Sequence, residues 1–275
     1  MVYIKTPEEI KVLRAGGLIL SNILKRLLSE VRPGVETMQL EDLADSLIGA
    51  AGGRAAFKNY PMGGGIFFPS VLCVSLNNEV VHGAAWPNRI IKNGDIVDLD
   101  IGMEWPVDLK LRQRLSFPTN SHSKNGGYFT DTCATIGVGK ISAEARRLLR
   151  VTAECLERGI AAARPNRHLN EIGRAVQTHA ESYHYGVVRD LVGHGVGYYA
   201  HEEPDVFNFI ISDKSRENII LQPGMVLAIE PMINLGDWPV EIADNNYTIV
   251  TADGSLSAHF EHTIVITSEG CERLT

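Results

Sequence analysis

Apolar residues recur with helical spacing near the start of the chain. Thr6-Pro7-Glu8-Glu9 has the composition of a helix start, because a Thr cap precedes Pro in the first turn and Glu three residues later. The apolar positions that follow are Ile10, Leu13, Ile19, Ile23, Leu27 and Leu28. This pattern predicts a helix that ends at Arg32-Pro33-Gly34 and a second helix that begins at Thr37.

The same succession of helix, turn and helix returns further along the chain. Ser142 precedes another run of helical apolar spacing, Arg164-Pro165 ends that run, and a further helix is predicted from about Leu169. Pro33 and Pro165 are 132 positions apart. The pattern therefore repeats at the level of whole helices.

Two predicted strands repeat at nearly the same distance. Residues 93–100 and 223–230 each have a turn followed by an apolar strand that ends in an acid. The acid is Asp100 in the first segment and Glu230 in the second, and these two are 130 positions apart. Asp and Glu are disfavoured inside strands, so their presence in both copies indicates a shared role.

A second pair of acids confirms the distance of the repeat. Asp131 and Glu261 are each predicted to open a strand, and they too are 130 positions apart. Several matches at nearly one distance indicate an internal duplication. We therefore expect a single α+β domain over residues 1–275, with two pseudo-symmetric halves at about 1–140 and 141–275.

One segment, residues 103–127, has no counterpart in the second half. It is rich in Pro, Asn, Ser and Gly and is predicted to be an extended hairpin that projects outward between two strands. Its charged residues are Lys110, Arg112, Arg114, Lys124, Glu104 and Asp108, a local charge of +2. Two interpretations stay open: a solvated loop, or a contact with ribosomal RNA phosphates.

Composition and charge favour a folded protein and argue against a nucleic-acid-coating or membrane-spanning one. Of 275 residues 44% are hydrophobic and 21% are charged, which is ordinary for a folded chain, and the net charge of −7 argues against a surface built wholly for nucleic acid. No run is apolar enough to cross a membrane, and no secretory signal is visible. Four scattered cysteines are expected to be reduced thiols. We therefore expect a cytoplasmic protein without a membrane partner.

The duplication is expected to bring four carboxylates to one central point. Asp100, Asp131, Glu230 and Glu261 would repel one another there, and two divalent cations would neutralise them. His194 lies in Gly-His-Gly-Val-Gly, where glycines permit close backbone approach. Four carboxylates and one imidazole form a hard, oxygen-rich donor set that suits Mn, Fe(II) or Co.

Other acids and histidines are expected to have lesser roles. Asp98 is expected to face solvent or to support a ligand from behind, and His262 to point away from Glu261 because side chains alternate along a strand. The remaining histidines are expected to lie on the surface or to be satisfied by other groups; they are His122, His168, His179, His184 and His259.

Taken together, these motifs resemble a type I methionine aminopeptidase of the duplicated pita-bread fold. The motifs that carry the resemblance are Asp-Leu-Asp-Ile-Gly (98–102), Thr-Asp-Thr (130–132), Gly-His-Gly-Val-Gly (193–197), His-Glu-Glu-Pro (201–204), Ile-Glu-Pro-Met (229–232) and Phe-Glu-His-Thr (260–263). The resemblance covers nearly the whole chain. It assigns metal ligation to the same five residues: Asp100, Asp131, His194, Glu230 and Glu261.

The resemblance also implies an activity and further site residues. The activity is removal of the initiator methionine from nascent polypeptide N-termini by a monomeric enzyme that prefers a small second residue. Glu230 would move the proton, His201 would stabilise the oxyanion, and His82 would hold the scissile amide or the next backbone group. Phe68 and Tyr247 would contact the methionine side chain.

Two features of the sequence depart from the family pattern, and two other functions compete with the aminopeptidase activity. Gly63-Gly64-Gly65 stands where relatives carry other residues and is expected to widen the methionine pocket, and Tyr247 replaces a Trp common in bacterial relatives. An Xaa-Pro dipeptidase would share all five ligands, although such relatives generally carry a further N-terminal domain. A binding module without catalysis would have lost ligands, and here all five are present.

Overall fold

The computed structural model describes residues 1–275. Its helices are α1 (Pro7–Glu30), α2 (Thr37–Ala50), α3 (Leu109–Leu115), α4 (Ala143–Ala162) and α5 (Asn170–Glu181). The strands of the first half are β1 (Arg54–Ala55), β2 (Pro61–Gly63), β3 (Ile66–Phe67), β4 (Cys73–Leu76), β5 (Glu79–Val81), β6 (Ile96–Trp105) and β7 (Tyr128–Gly137). Those of the second half are β8 (Gly186–Val187), β9 (Gly193–Gly195), β10 (Glu202–Val206), β11 (Val226–Ile229), β12 (Met232–Asn234), β13 (Val240–Ile242), β14 (Ile249–Thr251), β15 (Ser257–Ile266) and β16 (Cys271–Arg273).

The predicted helix starts are confirmed, and local hydrogen bonds explain them. At the start of α1 the backbone N–H of Glu9 donates to the Thr6 hydroxyl at 3.3 Å, and the Thr6 N–H donates to the Glu9 carboxylate at 2.8 Å. These two bonds satisfy backbone donors that a helix end otherwise leaves free. Ser142 caps α4 in a similar way, accepting from the N–H of Ala145 at 3.0 Å.

A large antiparallel sheet forms the centre of the molecule. Its principal strand order is β1-β6-β7-β15-β11-β9-β10. β6 pairs with β7 over ten residues, β7 pairs with β15, and β15 pairs with β11, all antiparallel. The strand pair of the first half and the strand pair of the second half are therefore hydrogen-bonded to each other at the middle of the sheet.

Each half packs a long helix against its own strands. α1 contacts β6 and β7, whereas α4 contacts β15 and packs beside α5. The contact of α1 with the rest of the protein is close at Gly17, where an added Cβ would lie 2.4 Å from the carbonyl oxygen of Leu274. Gly is required at this position by the distance between two backbones, and α1 is thereby held to the last residues of the chain.

Two expectations about the strands are wrong. β6 continues to Trp105, so Asp100 lies in the middle of a strand, and β15 begins at Ser257, so Glu261 does too. Both strands are buried along nearly their whole length. A buried carboxylate inside a strand is more costly than one at its end, which strengthens the need for a neutralising partner.

The segment 103–127 is not a projecting hairpin. It contains the short helix α3 and folds back onto the body of the protein around Glu104, which is fully buried. The Glu104 carboxylate accepts from the N–H of Gly127 at 3.2 Å and is paired with Arg54. Arg112 is also buried and donates to the carbonyl oxygen of Pro106 at 3.0 Å. These interactions neutralise Glu104 and hold the segment against the body of the protein.

None of the helices combines the length and the apolar composition that crossing a bilayer requires.

Candidate metal centre and active site

A cavity of about 380 Å³ opens at the middle of the sheet. Its polar residues are Asp100, Asp131, His194, Glu230, Glu261, His82, His201, His259, Asp190 and Cys73. The structure thus brings all five predicted ligands together, along with His82 and His201. Its apolar wall contains Phe57, Tyr60, Pro61, Met62, Phe68, Val81, Leu191, Val192 and Met232.

The register of the sheet explains why the carboxylates converge. Asp100 on β6 and Glu261 on β15 are both paired with Cys133 on the intervening strand β7. Asp131 lies two residues before Cys133, so its side chain is on the same face. Glu230 follows the last residue of β11 directly. Three adjacent strands therefore present acids to one face, and a fourth strand ends there.

The donor atoms have the spacing of a metal centre. One ligand atom each from Asp131, His194 and Glu261 lies within 4.8 Å of the others, and all three residues are buried. The Oε1 atom of Glu261 is buried without any hydrogen-bond partner. An unpaired carboxylate oxygen in such a place is costly unless a cation neutralises it.

His194 is prepared to ligate through Nε2. Its Nδ1 lies 2.9 Å from the carbonyl oxygen of Gly195, and a carbonyl only accepts, so Nδ1 carries the hydrogen. Burial lowers the pKa of His194 well below its usual value, which keeps the ring neutral. The free Nε2 lone pair then faces Glu230 Oε1 at 3.4 Å. A bound cation between them would be a ligand-accepting partner for both groups.

Crowding raises the pKa values of the acids. The pKa of Asp131 rises to about 7 because the carboxyl is buried and because Glu230 is charged nearby. Burial and the neighbouring carboxylates also raise the pKa of Asp100 and of Glu261 well above their usual range. The residues present therefore fit divalent-metal binding, and the positive charge of a bound cation would restore full ionisation.

Two further histidines line the cavity beside these acids. The ring of His201 lies 4.3 Å from that of His194 and 4.8 Å from that of Tyr60, measured between centroids. Burial lowers the pKa values of His201 and His82 to about 4. Both rings are therefore neutral near pH 7, and each offers one N–H donor to a polar group in the cavity.

The apolar side of the cavity differs from the expectation at two places. Phe68 lines the cavity, but Tyr247 is not among the lining residues: it packs edge-on against Phe68, with ring centroids 5.7 Å apart. Gly63-Gly64-Gly65 does not line the cavity either. All three glycines have positive φ in the turn between β2 and β3, and no atom would lie within 4 Å of an added Cβ. These glycines shape a turn and do not widen the cavity.

The prediction for His259 is wrong. His259 is only 2% exposed, and both of its ring nitrogens lack a hydrogen-bond partner within the usual distance. Nδ1 lies 3.5 Å from Asp98 Oδ2, and Nε2 lies 3.5 Å from Glu230 Oε2. Burial lowers the pKa of His259, but Asp98 and Glu230 more than offset this and raise it well above its usual value.

The alternation of side chains along a strand indicates from the sequence that Asp98 and His259 lie near the predicted ligands. Asp98 lies two residues before Asp100 and His259 lies two residues before Glu261, so both belong on the face that carries the ligands. Asp98 is also buried and does not face solvent. His262 contacts Thr275, with Nδ1 3.2 Å from the hydroxyl, and so points away from Glu261 as predicted.

The sequence matches the family described as metallopeptidase family M24 over residues 11–107 and 120–268. The interruption of this match coincides with α3. Methionine aminopeptidase 1 of Bacillus subtilis is 38% identical over 275 residues, which cover 100% of this chain and 99% of the relative.

Solved structures agree with the sequence comparison. The crystal structure of methionine aminopeptidase from Thermotoga maritima has a TM-score of 0.87 and 35% identity, over 100% of this chain and 99% of that one. The prolidase from Pyrococcus horikoshii has a TM-score of 0.71 and 20% identity, and only 63% of its chain is covered, so it shares the pita-bread fold alone. The chain therefore belongs to the M24 metallopeptidases and, within that family, to the methionine aminopeptidases.

Proposed function

We propose that this protein removes the N-terminal methionine from nascent polypeptides in a metal-dependent hydrolysis. The observation that carries the proposal is the convergence of four acids and one imidazole nitrogen on a cavity whose other wall is apolar. The polar end suits the reacting amide and the free amino group. The apolar end suits an unbranched thioether side chain.

Asp100, Asp131, His194, Glu230 and Glu261 are the residues that would hold two divalent cations. Asp131 and Glu261 occupy equivalent positions in the two halves, so each half would contribute one of these two carboxylates to the ions. Cations bound there would polarise the scissile carbonyl and lower the pKa of the attacking water. Mn, Fe(II) and Co are the ions that this oxygen-rich set favours.

The protein's own side chains would handle the proton and the developing charge. Glu230 has one oxygen toward His194 and the other toward His259, so it can ligate with one and accept a proton with the other. Its pKa is raised, chiefly by burial, which suits a group that takes up a proton from water and delivers it to the leaving amine. His201, as a neutral donor, would stabilise the oxyanion.

His82 and Phe68 would position the substrate. Thr248 holds the backbone of His82 in place, because the His82 carbonyl oxygen accepts from the Thr248 hydroxyl at 3.0 Å. The Nδ1 atom of His82 is buried without a partner, which leaves it available to the substrate amide or the next backbone group. Phe68 would pack against the methionine side chain, and Tyr247 would act only by supporting Phe68 from behind.

The decisive experiment compares two peptide classes with the same enzyme and metal. Met-Gly-Met-Met should lose its first residue at a rate that depends on added Mn²⁺ or Co²⁺, whereas Xaa-Pro dipeptides should not be cleaved. Cleavage of Xaa-Pro dipeptides with no release of methionine would overturn the proposal in favour of a dipeptidase. Binding of peptides without any hydrolysis under all metal conditions would leave only a binding module.

The substrate preference at the second residue follows from the same proposal. We expect Met-Gly, Met-Ala and Met-Ser peptides to be processed, and Met-Lys and Met-Phe peptides to be poor substrates. Equal kcat/KM for Met-Gly and Met-Lys peptides would contradict this preference. A monomer acting in the cytoplasm, where nascent chains emerge, completes the proposed function.

A ribosomal contact through residues 103–127 stays a prediction. Lys110, Arg114 and Lys124 are exposed and supply the positive charge, whereas Arg112 is buried. Deleting the segment would uncover Arg112 and its partners, so replacing the three exposed side chains with Ser is the cleaner test. The triple variant should hydrolyse short peptides normally and co-sediment less with ribosomes at low salt. Equal co-sedimentation of both forms would leave a solvated segment.

A further inference from the structure

The polar face of the sheet carries a second row of side chains beneath the predicted ligands. Asp98 is paired with Thr135 in the register of β6 and β7, one row away from Asp100. Thr135 also contacts His259 on the neighbouring strand β15, because its hydroxyl accepts from the backbone N–H of His259 at 2.9 Å. Asp98, Thr135 and His259 thus form a buried row that supplies none of the predicted ligands, and only His259 reaches the cavity.

This row ends on the carboxylate to which we assign two functions. His259 Nε2 lies 3.5 Å from Glu230 Oε2, while the other oxygen of Glu230 faces His194 Nε2 at 3.4 Å. Each oxygen of the carboxylate therefore faces a different imidazole. A hydrogen bond from His259 to one oxygen would therefore leave the other oxygen free to ligate.

The far end of the row is equally well defined. Asp98 Oδ2 is buried without a hydrogen-bond partner and lies 3.5 Å from His259 Nδ1, which also lacks one. The other oxygen, Oδ1, lies 3.1 Å from the Thr135 hydroxyl. Two unpartnered buried groups that face each other are satisfied at once when Nδ1 donates to Asp98. Because the ring lies between two carboxylates, Nδ1 and Nε2 both donate when the ring carries a hydrogen on each nitrogen.

We propose that His259, held by Asp98, is a positioning residue that orients the Glu230 carboxylate for metal binding and proton transfer. The proposal rests on the proposed function, since it concerns the same reaction. Such a carboxylate–histidine support is generally worth about 10–100-fold in metal affinity or activity. The role depends on one N–H at the Nε2 position, so substitutions that keep or lose that donor should behave differently.

Two substitutions of His259 separate positioning from simple packing. His259→Gln places an amide N–H near the Nε2 position, whereas His259→Asn is polar but too short to reach Glu230. With Mn²⁺ saturating and Met-Gly-Met-Met as substrate, we expect His259→Asn to lower kcat about 10–100-fold and to leave KM within about 2-fold. His259→Gln should retain kcat within about 5-fold of wild type.

A second readout does not depend on turnover. Titration of the metal-free protein with Co²⁺, followed by its visible absorption, should show that His259→Asn weakens the less tightly bound ion about 10-fold. His259→Gln should bind Co²⁺ like wild type. His262→Asn is the matched control on the same strand, because His262 points to Thr275 on the other face, and it should change neither kcat nor Co²⁺ binding.

The part played by Asp98 is tested by combining substitutions. Asp98→Asn should lower kcat in the wild-type background and should have no further effect on His259→Gln, which has no Nδ1 to hold. An equal effect in both backgrounds would show that Asp98 does not act through His259. That result would overturn the proposal for Asp98.

Three outcomes would overturn the role of His259. The first is a His259→Asn enzyme whose kcat stays within about 2-fold of wild type, against the expected 10–100-fold loss. The second is a His259→Gln enzyme that is as impaired as His259→Asn. The third is a His259→Asn enzyme that loses one equivalent of metal which excess ion does not restore. The last would make His259 a ligand. Failure of the wild-type enzyme to release methionine would instead refute the proposed function, so the two failures are distinguishable.

Discussion

Asp131 is a carboxylate that destabilises the metal-free protein, and its removal should therefore stabilise the fold. Burial and Glu230 raise its pKa from an ordinary 3.8 to about 7. A carboxyl whose pKa is raised by folding contributes full stability below its unfolded pKa and loses it as the pH rises through the folded value. The metal-free wild-type protein should accordingly lose stability between about pH 4 and pH 7.

The size of the effect follows from the shift. A shift of about 3 pKa units corresponds to about 4 kcal/mol once Asp131 is fully ionised near pH 8, and to about 2 kcal/mol at pH 5. Asp131→Asn removes this cost at both values. The amide oxygen can still accept from the N–H of Thr132, which lies 2.9 Å from Asp131 Oδ1. In EDTA the variant should be more stable than wild type, and by more at pH 8 than at pH 5.

The assay is urea unfolding followed by circular dichroism, at both pH values, with EDTA and with Mn²⁺. Adding Mn²⁺ should reverse the order, because the wild type gains binding free energy and the variant lacks one of the proposed ligands. Asp244→Asn is the matched control at an exposed acid and should show neither effect. A variant that is less stable than wild type in EDTA at pH 8, or a gap that does not narrow at pH 5, would refute the reasoning.

Three further predictions concern the site and the packing of α1. Glu230→Gln should leave the fold intact and reduce kcat below about a tenth of wild type with metals saturating, because both of its functions need a carboxylate; steady-state kinetics with a metal analysis checks this. His201→Ala should lower kcat about 10²–10³-fold with metal content unchanged; a site that stays empty would make His201 a ligand instead. Gly17→Ala should destabilise the protein by about 1–3 kcal/mol, since its Cβ would meet the Leu274 backbone at 2.4 Å. Gly16→Ala, whose Cβ would lie 3.4 Å from Trp105, should be neutral or stabilising, and equal thermal midpoints for the two variants would contradict the packing argument.

Local sequence patterns determined four of the five helices, α1, α2, α4 and α5, and indicated the candidate ligands. The Thr6 and Ser142 caps act through hydrogen bonds within three residues, so their effect is visible in the chain itself. The spacing of 130 positions between the acid pairs identified equivalent strands without any knowledge of how those strands pair. Convergence of the four acids then followed from symmetry.

Only the tertiary structure decided what lies beside those ligands. Asp98 and His259 are 161 positions apart, and no local rule brings them together. Their contact depends on the register of β6, β7 and β15, which is set by pairing between distant strands. Gly63-Gly64-Gly65 was misjudged for a related reason, because a run of glycines does not reveal whether a turn faces a cavity or solvent.

The segment 103–127 shows the same limit most clearly. Its Pro, Gly and Asn content correctly indicated an interruption between two strands, but Glu104 and Arg112 look like surface residues in the sequence. Glu104 is buried because Arg54 and the backbone N–H of Gly127 satisfy its carboxylate, and Arg112 is buried because its guanidinium donates to the carbonyl oxygens of Pro106 and Asn125. Whether a charged side chain is buried depends on partners that only folding supplies. A helix cap, a turn or a ligand-bearing strand depends on neighbouring residues and can be predicted from them.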